Sequence, residues 1–370
     1  MADTDTSSET LFVDILNQFA YSSQREPFDQ ISAIQEAIDE INIFVDASKS
    51  SNYKIIGFID KSISTEETFR KWSDRRIQEI NDKNRKKRNY LVNTPLLLGE
   101  EFKKLGVPVH YSTIDCDDTI AAFAYHRRGN VLSADKDFFR YYLTDSDRST
   151  SYLGPSYHQN RPFKVFKGYE IDQAGFLRLE ELKGKCRVER RKILEKCPKT
   201  RDTANFLTTI PDFMAREAGG AKLMFRRGCG STLTTLTNPH IQVRHLRFDN
   251  VVIAPSHFSL YCIGGQARPL RQALYWRMES GPVLEVVANW HEDPDKIIEK
   301  EIVQPDHKLD HLLDKPGEAF RQIFGGCQRP SDRSISELDW RNHVFCQKTV
   351  IAELCTWTCP ANYTKILFEI

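Results

Sequence analysis

No apolar run in the 370-residue sequence approaches the roughly 18 residues that a membrane span requires. A membrane-spanning helix is therefore not expected. Net charge is also nearly absent, because 52 Lys and Arg against 51 Asp and Glu leave a formal +1. That excludes a uniformly basic nucleic-acid binder but leaves room for local basic patches. The opening residues, MADTDTSSET, carry neither the apolar core of a secretory signal nor the Arg-rich, acid-poor character of a mitochondrial one. Residues 1–9 are expected to be a disordered leader. The nine cysteines are odd in number and scattered, which suits free thiols in a reducing compartment rather than a disulfide framework. An intracellular protein follows, in nucleus or cytoplasm. The basic run Lys83 to Arg88 offers a weak nuclear signal.

What is there is a chain long enough for two domains, organised around the stretch from Gly106 to Tyr142. Val107 to Tyr111 is a short extended run, and Asp115, Asp117 and Asp118 then open an apolar helix over Thr119 to His126. Gly129 ends that helix, Asn130 to Ser133 returns as a buried strand, and Asp135 and Asp137 sit at its tip. A strand-helix-strand unit of this length implies parallel pairing with a right-handed crossover. Ligands of such sheets gather at the carboxyl ends of the strands. Both acidic clusters belong at that edge, where so many carboxylates need cations or raised pKa values.

Two earlier segments share the habit. Leu11 to Val13 reads as a first buried strand with Asp14 at its tip and Asn17 just beyond. Tyr53 to Ile59 is the next strand, with Asp60 directly after it. Helical spacing of apolar positions over Phe28 to Phe44 supplies a helix between the two, and Asn93 to Leu105 supplies another before Gly106. Residues 10–150 therefore form one α/β domain with a central parallel sheet flanked by helices.

From about Ser151 the character changes to an α+β region, 151–370, of unclear fold. Arg178 to Arg201 reads as a basic helical stretch, and His240 to Ile263 alternates as half-buried strands do. Arg268 to Tyr275 begins a helix with proline in its first turn. Val283 to Ala288 reads as a strand, Gly317 to Phe324 and Ser334 to Trp357 as helices, and Lys365 to Ile370 as a final strand.

Hydrolysis of a phosphodiester at neutral pH needs an activated water and charge neutralisation at the leaving oxygen. Two hard cations about 3.5–4 Å apart supply both. Magnesium takes oxygen ligands, so a few carboxylates can hold each ion. Asp14, Asp60, Asp115, Asp117, Asp118, Asp135 and Asp137 offer that chemistry from four segments. Taken singly, each could equally be a helix cap or turn former: Asp117 or Asp118 as N-cap of the Thr119 helix, and Asp135 as a turn initiator.

In order and spacing these residues resemble the flap endonuclease/XPG branch of the PIN-like nuclease superfamily. The resemblance rests on Asp14 and Asn17 after the first strand, Phe58 to Lys61 after the second, and the Arg75-Arg76 pair. Gly106-Val107-Pro108 then matches a G-[IV]-P turn, Asp115 to Asp118 an acidic pair, and Ser133 to Asp137 the motif S-x-D-x-D. Arg268 to Tyr275 is similar to a segment of Asteroid-type members. The resemblance implies a PIN-like (FEN/XPG-type) core and a nuclease using two Mg²⁺ or Mn²⁺ ions on DNA or RNA. Asp14, Asp60, Asp115, Asp117, Asp135 and Asp137 would be catalytic through the metals, with Asp118 an additional ligand. Residues 151–260 hold no Asp-bearing helix-two-turn-helix pattern, and the span after Asp60 is short for a helical arch, so structure-specific flap cleavage does not follow.

The run from Arg70 to Arg88 carries nine Lys or Arg against three acidic residues. It is either a solvated helix face or a phosphate-contacting surface, with Lys61, Arg70, Lys71, Arg75 and Arg76 as the nucleic-acid-binding candidates. Tyr125, Phe138 and Tyr141 are expected to pack rather than stack on bases. His343, Cys346, Cys355 and Cys359 are irregularly spaced for zinc and read better as buried helix residues. The alternative to a nuclease is a catalytically weak or inactive PIN-like scaffold that binds nucleic acid, or protein partners through the C-terminal half.

Overall fold

A computed structural model describes residues 8–19, 22–23, 28–60, 70–71, 73–75, 77–78, 89–90, 94–112, 115–142, 163–183, 192–197, 222–227, 230–233, 267–279, 281–288, 298–325, 337–356 and 362–370. The chain divides into two units. The first comprises Met1–Ala20, Ile38–Ser62 and Glu101–Phe206, and the second comprises Tyr21–Ala37, Ile63–Glu100 and Leu207–Ile370.

The first unit is an α/β structure built on a six-stranded, mainly parallel sheet. Its strands are β1 (Glu9–Asp14), β2 (Tyr53–Asp60), β3 (Val109–Ser112), β4 (Asn130–Leu132), β5 (Val165–Ile171) and β6 (Leu177–Glu181). They lie in the order β3-β2-β1-β4-β5-β6, and only β6 runs antiparallel to its neighbour. β1 and β2 are near-continuous apolar runs because both faces of a parallel sheet are covered. The order reverses direction between β1 and β4. That is the topological switch point, where a crevice opens outside the carboxyl ends of the strands.

Parallel strands need crossovers. In sequence, α1 (Ile15–Phe19) and α2 (Gln30–Ser50) lie between β1 and β2, α3 (Thr94–Lys104) between β2 and β3, and α4 (Cys116–Arg127) between β3 and β4. Side chains alternate between the sheet faces. Phe12, Ile56 and Phe58 therefore share one face, where they pack in one buried cluster with Ile120, Ala121 and Phe123 of α4 and with Val131. On the other face Phe19, Phe44, Phe102 and Tyr169 stack edge-on or tilted at 4.6 to 6.3 Å. The β5–β6 register shifts between Phe166 and Gly168, and this bulge is how Val165 and Tyr169 reach opposite faces of the same strand.

The end of α4 differs from expectation in one detail. The residue that turns left-handed is Arg128, at φ 54°, and Gly129 follows it. Glycine is needed there for space instead: a Cβ at Gly129 would lie 2.5 Å from the Phe12 ring and 2.7 Å from the Thr10 carbonyl oxygen. The carbonyl is backbone and cannot swing aside. Gly129→Ala is expected to lower stability by about 1–3 kcal/mol, the usual cost of overpacking. A urea midpoint unchanged from wild type would contradict the close approach.

The basic stretch from Arg178 is not α-helical where it is described. Residues Leu177–Glu181 are edge strand β6, Lys192–Ile193 pairs with Tyr141–Tyr142, and Leu194–Lys196 is a single 3₁₀ turn. Charged side chains suit an edge strand, because they discourage further pairing.

In the second unit β7 (Lys222–Arg227), β8 (Gly230–Leu233), β9 (Val283–Ala288) and β10 (Ile298–Val303) form a four-stranded sheet of order β8-β7-β9-β10. Helix α5 (Arg268–Arg277) has proline in its first turn, as the sequence predicts. Helices α6 (Pro316–Phe324) and α7 (Glu337–Cys355) lie within a residue or a few of their expected limits. The chain ends in a helix, α8 (Tyr363–Glu369), and not in a strand. Tyr363, Thr364 and Leu367 are its buried residues, which is the spacing of one helical face. The expected strands over His240 to Ile263 lie outside the described residues.

Candidate metal centre

Four chain segments build the acidic edge of the sheet. β1 ends at Asp14, and the alternation that buries Phe12 turns the Asp14 side chain toward the α4 face. Asp60 ends β2 on the same face as Phe58. The start of α4 and the loop after β4 supply the rest.

Both of those segments use the same local device. Asp115 is the N-cap of α4, its Oδ1 accepting from the Asp117 N–H at 3.1 Å, so the helix opens at Cys116, two or three residues before the expected caps would start it. Asp135 caps a 3₁₀ turn, Lys136–Arg140, its Oδ1 accepting from the Asp137 N–H at 2.8 Å. In each D-x-D the first carboxylate spends one oxygen on a backbone donor. The capping and ligand readings of these aspartates are therefore compatible.

Asp117, Asp135 and Asp137 each bring a carboxylate oxygen into a group whose members lie within 4.8 Å of one another. This cluster could hold a metal ion. Its donors are all carboxylate oxygens, which suit a hard cation. Asp14 is tied to it by hydrogen bonds: Ser133 Oγ donates to Asp14 Oδ2 at 2.9 Å and accepts from the Asp135 N–H at 3.2 Å. Asn17 completes the stitching. Its Oδ1 accepts from the Ala134 N–H at 2.7 Å, and its own N–H donates to Asp14 Oδ1 at 3.3 Å. Asp118 turns elsewhere, accepting from the hydroxyl of buried Tyr141. Lys136, between the two aspartates of the second motif, is exposed.

Compared with family models, curated proteins and solved structures, the chain matches none. The site must be read from its own chemistry.

Burial is the main cause that pushes the Asp117 carboxyl up to about 8, with Asp115, Asp135 and Asp14 adding repulsion and Arg140 opposing it. Burial likewise raises Asp14 to about 6, against the hydrogen bonds from Ser133 and Asn17 and with repulsion from Asp60 and Asp135. The folded chain therefore holds these protons more tightly than the unfolded chain, whose carboxyls titrate near 3.8. Their contribution to stability is fully present below that value and is lost as pH rises through about 6 and then about 8. Divalent-free protein should melt at progressively lower temperature from about pH 5 to about pH 9, and saturating Mn²⁺ should flatten the slope. A melting temperature that rises across this window in EDTA would contradict the crowding.

Arg140 is the site residue that motif reading missed. Its Nη2 lies 2.6 Å from Asp137 Oδ2 and 3.6 Å from Asp117 Oδ2, and its Nε donates to the Asp137 carbonyl at 3.1 Å. Its helical spacing of three from Asp137 was the available signal.

Among the basic candidates, Arg70, Lys71 and Arg75 are exposed and belong to the second unit, while Lys61 and Arg76 lie outside the described residues. Phe138 and Tyr141 are core residues, and Tyr125 packs against the same cluster. His343 is buried in α7, 3.1 Å from the Gln347 side chain, and burial lowers it to about 4. Cys346 is buried as well, the Cys355 thiol donates to the Leu312 carbonyl, and Cys359 lies outside the described residues. No helix among the described residues is long and apolar enough to cross a membrane.

Proposed function

We propose that the protein is a metal-dependent nuclease with a PIN-like core, hydrolysing phosphodiester bonds of DNA or RNA with two Mg²⁺ or Mn²⁺ ions. The observation that carries this reading is the convergence of Asp117, Asp135 and Asp137 within 4.8 Å at the carboxyl edge of the sheet. Asp14 and Asp60 end the two adjacent strands there. The ions, when bound, would neutralise phosphate charge and lower the pKa of a water.

The chain's own residues divide the remaining work. Asp117, Asp135 and Asp137 would hold one ion, and Asp14 with Asp60 would contribute to holding a second. Ser133 and Asn17 orient Asp14, and Asp115 fixes the backbone that presents Asp117. Lys61, Arg70, Lys71, Arg75 and Arg76 take phosphates of the substrate, which would make binding salt-sensitive.

One observation favours the scaffold alternative, a PIN-like module that binds nucleic acid or protein without cutting. Arg140 already pairs with two of the three clustered carboxylates, and Asp118 is engaged by Tyr141. Labelled single-stranded RNA, single-stranded DNA and branched DNA, incubated with the full chain in Mg²⁺, Mn²⁺ or EDTA, separate the readings. Cutting that requires the divalent ion supports the nuclease. Tight binding in EDTA with no cutting under any condition supports the scaffold.

A further inference from the structure

Arg140 is held where a cation bound by Asp117 and Asp137 would draw its charge. Its side chain is only 16% exposed, and Nη2 lies between the Oδ2 atoms of both residues, at 3.6 and 2.6 Å. The Nε bond to the Asp137 carbonyl, 3.1 Å, anchors the guanidinium from the backbone of its own 3₁₀ turn. A small divalent ion requires oxygen ligands at about 2.0–2.1 Å in near-octahedral array. The clustered oxygens, spread over as much as 4.8 Å, must draw together to supply them. Asp137 cannot turn the same Oδ2 lone pairs fully to an ion while Arg140 holds them at hydrogen-bond distance. Two positive charges at such range also repel strongly where water is partly excluded.

We propose that Arg140 is a built-in competitor for the divalent ion: it neutralises the carboxylate cluster before metal binds and sets the concentration at which metal displaces it. The proposal rests on the metal reading of the preceding section and deepens it into a threshold on cofactor uptake. Arg140 is a positioning residue, since it acts through Asp117 and Asp137.

The test is a Mn²⁺ titration of the full chain, read by melting temperature and by the electron paramagnetic resonance of free Mn²⁺. Wild type, Arg140→Gln, Arg140→Lys and the Asp135→Asn/Asp137→Asn pair are compared in the absence of any substrate. Arg140→Gln is expected to lower the melting temperature in EDTA and to bind Mn²⁺ about tenfold more tightly than wild type. Arg140→Lys, which keeps the charge but loses the fork, should fall between them. Should Arg140→Gln fold only with Mn²⁺ present, that dependence supports the proposal directly. Should it not fold at all, Arg140→Lys decides: tighter binding than wild type supports competition, and equal or weaker binding overturns it. Unchanged or weaker Mn²⁺ binding in a folded Arg140→Gln overturns the proposal while leaving the metal site standing. No Mn²⁺ response in wild type, matching the paired aspartate variant, removes the metal reading and the proposal together.

Discussion

Asp135→Asn combined with Asp137→Asn is expected to reduce divalent-dependent cleavage by more than about 100-fold while the protein stays folded. Loss of hydrogen-bond partners that merely orient ligands costs about 10–100-fold, so loss of the proposed ligands themselves should exceed it. The choice of asparagine separates the capping role from the proposed ligand role. Asp135 caps the Lys136–Arg140 turn through an oxygen that accepts from the Asp137 N–H. Asparagine caps about as well as aspartate, so the turn survives. Removing the Asp135 charge also relieves part of the repulsion that adds to burial in raising Asp117. The melting temperature in EDTA should hold or rise. Cleavage by the variant at the wild-type rate would mean that these aspartates are caps and nothing more. Asp14→Asn, which keeps an acceptor for Ser133, provides an independent check from a different strand.

Why the acidic edge was legible, and Arg140 was not, follows from the periodicities involved. A buried parallel strand is a short apolar run, and the first charged residue after it marks the sheet edge. Leu11 to Asp14 and Ile55 to Asp60 announce themselves in this way, and the expected and observed strands agree to within a residue or two. Parallel topology then sends every such terminus to one edge, so contacts distant in sequence could be inferred without pairing information. Arg140 belongs to no strand end. Its role depends on the 3₁₀ turn that brings it back over Asp137, a turn capped by Asp135 and invisible to strand periodicity.

The misread segments fail for the same kind of reason. Arg178 and its neighbours lie in an edge strand whose exposed charged side chains leave little apolar alternation to detect. The C-terminal run from Lys365 to Ile370 is a short apolar stretch, for which period alone does not separate strand from helix. Its buried residues begin at Tyr363, outside the apolar run, so the helical face shows only when the window is widened.

Phe12→Ala is expected to destabilise the first unit by about 3–5 kcal/mol, the range for truncating a fully buried aromatic side chain. Phe12 is 0% exposed. Its ring lies 6.1 Å from Phe58 and 6.2 Å from Phe123, so one deletion removes contacts to β2 and α4 together. The space above Gly129 would also open, because the Phe12 ring fills the volume that a Cβ at that glycine would need. Collapse around the cavity is limited, since β1 is hydrogen-bonded between β2 and β4 and cannot shift toward either. The measurement is urea unfolding, with hydrogen exchange of the β1 and β2 amides to locate the loss. A drop confined to less than about 1 kcal/mol would mean that the β1–α4 layer can repack. In that case α4 could also slide relative to β1, and the spacing of Asp117 from Asp14 would not be fixed by the core. A full loss, with Mn²⁺ affinity weakened in the fraction still folded, would instead tie the site's geometry to this aromatic layer: the helix that carries Asp117 is held at its distance from β1 by the Phe12 and Phe123 rings.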